Sequence, residues 1–175
     1  MNKAKILIFS LFLFVLLAMI QTGNIAPAFK VMDGNKNVLQ SSSLRGKVIV
    51  GFYENRHKKN LNTSLKKFLH SFHAKSRTHA SGKTFKLAVI DATESNIAVA
   101  WIWRRNMRKA TQTESVHVYG DWDGSMKKSF GFPENSSTFL IIDKKGYIAY
   151  VKSGKIQETE FQKIQRLIKR LTISK

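Results

Sequence analysis

The side chains able to do chemistry in this sequence are few, and one class is missing: among its 175 residues there is no cysteine. Only a thiolate attacks a disulfide or a peroxide, so thiol redox chemistry has no donor here. His70 and His73 stand three apart, a spacing that puts two imidazoles on one side of a helix, and His57 and His79 could add to a metal set. The same pair flanks an apolar stripe, where it reads as a solvated helix shoulder, and no metal is expected. Asp121 and Asp123 could act as paired carboxylates in acid–base work or cation binding. Set in Asp121-Trp122-Asp123-Gly124, they are expected instead to cap a turn and a helix N-terminus. A serine triad lacks its G-x-S-x-G elbow. Of the rings that could stack on a ligand, Trp101 lies at helical spacing from Ile97 and is expected in the core. Trp122, in a turn, is expected to be exposed.

These residues need elements to hold them. Gly46 to Asn60 reads GKVIVGFYENRHKKN: a short apolar strand, an aromatic pair, a polar loop, then a helix. The near-continuous apolar run Lys47 to Tyr53 suits a central strand buried on both faces. Before it, Asp33-Gly34-Asn35 joins two short strands, Ala28 to Met32 and Asn37 to Leu39, as a hairpin. After it, Asn60 is the expected N-cap of a helix carrying Leu61, Leu65, Phe68, Leu69 and Phe72 at helical spacing. Ala74 to Lys83 is a loop, and Phe85 to Asp91 a second buried strand. A helix then runs from near Asn96 and ends in Arg104, Arg105, Arg108 and Lys109, cations that would suit its dipole. Val116 to Tyr119 is a strand, and a short helix ends at Phe130-Gly131. Ser137 to Asp143 and Tyr147 to Val151 form a hairpin, and Glu158 to Leu171 is a final amphipathic helix. Strands alternating with helices imply parallel pairing with right-handed crossovers, and the closing hairpin makes the sheet mixed.

Charge narrows the partners. Thirty Lys and Arg against eleven Asp and Glu give +19, a surface that attracts anions. Lys3 and Lys5 precede Ile6 to Ile20, an unbroken apolar or small run of fifteen residues. That is short for a spanning helix, which needs about 20 residues, and suits a signal h-region. Residues 1–23 are therefore expected to be a signal peptide or signal anchor, and 24–175 one domain. The protein is expected outside the cytoplasm, periplasmic or held at the inner membrane by residues 6–20. Export disfavours nucleic acid and leaves an anionic envelope component, a protein or a membrane surface as partner.

Several strings resemble the thioredoxin-like redoxins of the bacterial envelope, the TlpA and peroxiredoxin-like group. Gly46-Lys47-Val48 through Phe52-Tyr53 looks like their GKVVLVNFW strand. Val118 to Gly131, with Asp121, Asp123-Gly124 and Phe130-Gly131, looks like their D-x-D-G…Y-G segment, and Ser136 to Asp143 like PTTFLID. Within this group the chain is most similar to the cysteine-free YtfJ-like periplasmic proteins. The resemblance implies an α/β fold, a thioredoxin-like mixed sheet flanked by helices with an N-terminal hairpin. It places the two redox cysteines on His57 and Asn60, and the cis-proline on Ser136.

The resemblance thus carries the fold and not the activity. The expected function is that of a redox-inactive envelope protein that binds an anionic or protein partner, without a cofactor. Two alternatives stand beside it: an enzyme using a non-cysteine site around His57, and a basic module on anionic membrane or polymer. Two sites are expected. One is a polar pocket of His57, Asn60 and Ser136 with Arg56 and Lys58 at its rim. The other is a basic patch of Lys75, Arg77, Lys83, Arg104, Arg105, Arg108 and Lys109, at the end of the sheet away from that pocket.

Overall fold

A computed structural model describes residues 21–75, 82–96, 98–114 and 116–173. The apolar run 6–20 and Arg77 lie outside the described residues. The elements are β1 Lys30–Asp33, β2 Val38–Gln40, β3 Val48–Glu54, α1 Thr63–Lys75, β4 Thr84–Asp91, α2 Ala100–Glu114, β5 Val118–Asp121, α3 Ser125–Phe130, β6 Ser137–Ile142, β7 Ile148–Ser153 and α4 Glu158–Ile173. The strands form one mixed sheet in the order β2-β1-β5-β4-β3-β6-β7. β3 lies inside it, parallel to β4 and antiparallel to β6, as its apolar run requires.

The pleat sorts β3 onto two faces. Val48 and Val50 point to one side, with Phe139 and Ile141 of β6, and pack under α1 and α4 through Leu65, Leu69, Ile164 and Ile168. Ile49 and Tyr53 point to the other side, with Leu87, Val89 and Leu140, and pack against Met126 and Phe130 of α3. α2 covers Ala88 and Val118 through Met107, Trp103 and Ala110. Because Val50 pairs with Lys86 and Phe52 with Ala88, these residues share the face of α1 and α4. Three long helices therefore lie on one face of the sheet and the short α3 on the other.

Two expected boundaries are corrected. The first helix starts at Thr63 and not beside Asn60. Residues 55–62 form successive turns instead, with Lys58 N–H donating to Asn55 O, Leu61 N–H to Lys58 O and Thr63 N–H to Asn60 O. The second helix runs on to Glu114, so Arg104 to Lys109 are interior and no cation occupies its last turn. Nothing in Ala110-Thr111-Gln112-Thr113 breaks a helix, and basic residues alone do not end one.

The hairpin docks on β5 through β1. Gly34 is required there by proximity: a Cβ on it would stand 2.5 Å from the carbonyl oxygen of Arg104. Asp33 organises the turn, accepting from the amides of Asn35 and Asn37, both at 2.8 Å, and lying 2.8 Å from His117 Nε2. Burial pulls this carboxyl's pKa up, but the hydrogen bonds from His117, Asn37 and Asn35 outweigh it and hold the value below the ordinary one. A carboxyl lowered in the fold contributes stability above its unfolded value, about 3.9, and loses that contribution as pH falls through the folded value. Urea midpoints measured from pH 7 down to 2 should therefore fall more steeply below pH ~4 for the wild type than for Asp33→Asn. Parallel curves would refute the role given to Asp33.

Candidate functional site

The loop after β3 stands at the carboxyl ends of the parallel strands, where ligands gather in open α/β sheets. Its base is a buried polar node. Glu54, the last residue of β3, accepts from Ser137 Oγ at 2.9 Å and from Lys66 Nζ at 2.6 Å. Asn62 Nδ2 donates to Ser137 Oγ and to Gly154 O, each at 3.0 Å, and Asn62 Oδ1 accepts from the amide of Ile156 at 2.9 Å. Lys66 also donates to Lys59 O at 2.8 Å, so one ammonium ties β3, the loop and α1 together.

Above the node the side chains are exposed. Arg56 Nε–H donates to His57 Nε2 at 2.8 Å, pairs with Glu94 at 3.4 Å, and lies 5.8 Å above the Trp103 ring. His57 is itself positioned through its amide, which donates to Asn55 Oδ1. His57 and Asn60, on which the resemblance places the redox cysteines, are both exposed.

Arg56, His57 and Asn60 line one cleft; Ser136 and Lys58 do not line it. No cis peptide bond occurs among the described residues, and Asn135, before Ser136, has φ +50°. The Ser136 carbonyl accepts from the amide of Asn55, but its hydroxyl reaches only the Ser137 carbonyl, at 3.5 Å. Strand alternation explains the substitution: Ser137, one residue on, is the side chain that points at Glu54.

The basic residues of the second expected site are differently placed. Arg104 lies 4.8 Å above the Trp122 ring and Arg108 donates to Gly34 O at 2.7 Å, so both hold α2 to the hairpin. Trp103, beside Arg104, lies under Arg56, so this stretch begins near the 54–60 loop and not at the far end of the sheet. Lys83, Arg105 and Lys109 are exposed, and Lys75 ends α1. Trp101 is 59% exposed, a correction to the expected core position. The stripe that α2 turns to the sheet runs through Trp103, Met107 and Ala110, and leaves Trp101 outside. Trp122 is held, its Nε1–H donating to Met32 O at 3.1 Å.

Asp121 and Asp123 cap α3. Asp121 accepts from the amides of Met126 and Lys127 and from the Tyr53 hydroxyl, and Asp123 accepts from the amide of Ser125. Among the described residues no group of three His, Asp or Glu is placed to hold a metal.

The cleft at the loop continues as a groove of about 940 Å³ between α1 and α2. Thr63, Lys66, Lys67, His70 and His73 form its α1 wall, and Ile102, Trp103, Asn106 and Ala110 its α2 wall. Among the described residues its lining includes five cations, Arg56, Lys59, Lys66, Lys67 and Lys86, and a single carboxylate, Glu54. Lys86 was hidden in the sequence inside the apolar run Phe85 to Ile90. The only hint was its place in the alternation, two residues before Ala88.

Fold and site together define a thioredoxin-like protein with no thiol centre. The chain belongs to a family of bacterial proteins of unknown function, YtfJ_HI0045, whose pattern it matches over residues 28–171. It is 26% identical to an uncharacterized protein of Haemophilus influenzae over 86 residues, which is 48% of this chain and 46% of that one. The match thus spans about half the length of that relative. Solved structures share the fold. A Chlorobium tepidum protein assigned as thiol:disulfide interchange protein DsbE has a TM-score of 0.66 at 16% identity, covering 87% of this chain and 99% of its own. The thioredoxin domain of a Bacteroides vulgatus thiol-disulfide oxidoreductase gives 0.58 at 13%, covering 85% and 99%. The exposed lipoprotein thioredoxin Etrx1 of Streptococcus pneumoniae gives 0.55 at 13%, covering 80% and 98%.

Proposed function

We propose that this chain is an exported, redox-inactive thioredoxin-like binding protein whose ligand carries negative charge and enters beside residues 54–60. One observation carries the reading: among the described residues, the groove that opens at the carboxyl ends of the strands and runs down between α1 and α2 is lined by five cations and one carboxylate, and that carboxylate is already paired with Lys66. A cleft with walls of one charge sign focuses its field and concentrates counter-ions. His57 is the residue on which the resemblance to the redoxins places a redox cysteine, and it and its neighbour Arg56 offer N–H donors to an anion instead of a thiolate. Export is supported by the apolar run at residues 6–20 and by the exposed lipoprotein among proteins of like fold.

Two assays test this. The purified protein should neither reduce insulin disulfides nor consume peroxide above background. Titration with inorganic phosphate and with acetate should move the His57 ring signals in NMR, and the shift should shrink steeply as salt rises. Turnover in either redox assay, or His57 signals that ignore both anions, would overturn the reading.

A further inference from the structure

The centre of the sheet is covered on one face and open on the other. On β4, Leu87 and Val89 are 2% and 1% exposed beneath α3 and its neighbours. Lys86, Ala88 and Ile90, pointing the opposite way, are all only part-buried, as is Phe52 beside them on β3. Central strands flanked by parallel crossovers are ordinarily buried on both faces. Here α1 packs toward α4 and α2 toward β5 and β1, and the floor between the two helices is left uncovered.

The floor is amphipathic along its length. Phe52, Ala88 and Ile90 form an apolar lane below Trp103 and Met107, reaching toward the 54–60 loop. At the other end of the lane stands Lys86, which pairs with no carboxylate among the side chains described. Burial lowers its pKa. The other inward cation, Lys66, is occupied by Glu54. A cation held in an apolar setting without a counter-charge is costly, and an anion brought to it by an apolar body relieves both deficits.

We infer that the α1–α2 groove binds a single-chain carboxylate amphiphile, with its carboxylate on Lys86 and its chain over Ala88, Ile90 and Phe52. This rests on the anion-binding reading above and names the ligand class. Lys86 is the one cation in the floor, without an ion pair among the described side chains, and its single charge matches one negative charge, which selects a monocarboxylate over a phosphate dianion. A lone ammonium also lacks the planar fork that favours phosphate. The wall from Thr63 to His73 is about 15 Å long at the helical rise of 1.5 Å per residue. That suits an extended acyl chain.

The probe is dodecanoate with a 13C-labelled carboxylate, titrated into the purified protein and followed by NMR and calorimetry. Saturable binding at one site is expected, with dodecanol and acetate each weaker by about tenfold or more. Lys86→Met keeps the volume and removes the charge. It should weaken dodecanoate by about tenfold while raising the thermal midpoint, which shows that the variant folds. Lys86→Arg should restore binding in part, and Ala88→Leu should block the lane. Unchanged affinity in Lys86→Met, or tighter binding of dodecyl phosphate than of dodecanoate, would overturn the assignment. Failure of dodecanoate while phosphate or acetate still moves His57 would also overturn it, leaving the anion cleft standing. Silence toward every anion would remove both.

Discussion

Replacing Asp121 by alanine should cost about 3–5 kcal/mol of stability, since three donors would each lose an acceptor worth about 1–3 kcal/mol in a buried setting. Asp121 is 0% exposed and sits at the end of β5. Its Oδ2 accepts from the Tyr53 hydroxyl at 3.0 Å and the Lys127 amide at 2.9 Å, and its Oδ1 from the Met126 amide at 3.3 Å. One side chain therefore joins β3, β5 and the first turn of α3. The thermal midpoint should fall by on the order of 10 °C, given the entropy of unfolding of a domain this size.

The pH dependence gives a second signature. Burial pushes the Asp121 carboxyl above its ordinary value, against the pull of the Lys127 amide, the Tyr53 hydroxyl and the Met126 amide. A carboxyl raised in the fold binds its proton more readily there than in the unfolded chain. Its contribution to stability therefore increases as pH falls through the raised value, and levels off below the unfolded one. The gap between wild type and Asp121→Ala should widen as pH is lowered from 7 toward about 4. A gap that narrows, or a loss below about 1 kcal/mol, would show that Asp121 is not the joint described. Tyr53, Asp121 and α3 lie on the sheet face opposite the groove, so anion binding well below the midpoint should be unchanged.

The sequence made the strands legible because their apolar runs are long relative to any competing period. Lys47 to Tyr53 reads as an interior strand from composition alone, and the hairpin reads from Asp33-Gly34-Asn35. What stayed hidden depends on which elements become neighbours. Asn60 and Asn62 are equally good capping residues on paper. Asn62 is instead drawn into a contact with Ser137, Gly154 and Ile156, partners 75 to 94 residues away. Trp101 and Trp103 are both apolar helix residues, and only the direction in which α2 meets β5 decides that Trp103 faces inward. Lys86 is one polar letter in an apolar strand, and a gap between two helices leaves no mark in either helix's own sequence. The cysteine-free loop was legible as an absence; the groove that continues from it was not.

Asn62→Ala should be the most damaging change near the candidate site, at about 2–4 kcal/mol, because it deprives three groups on two segments at once. Asn62 is 2% exposed and immediately precedes α1. Its Oδ1 is the acceptor given to the Ile156 amide, and its Nδ2 serves Ser137 Oγ and Gly154 O, fixing the start of α1 to the segment between β7 and α4. Ser137 in turn donates to Glu54, whose other oxygen holds Lys66. The loss should therefore travel along a defined path. The Ile156 amide should exchange faster with solvent, and the amides of the first turn of α1 should follow. Ser137→Ala should cost less, because Asn62 keeps its bonds to Gly154 and Ile156, while Lys66 and Glu54 keep each other. Hydrogen exchange on the two variants decides the point. If the Ile156 amide stays as protected in Asn62→Ala as in the wild type, or if Ser137→Ala is the worse of the two, then Asn62 does not anchor the groove wall to the rest of the fold.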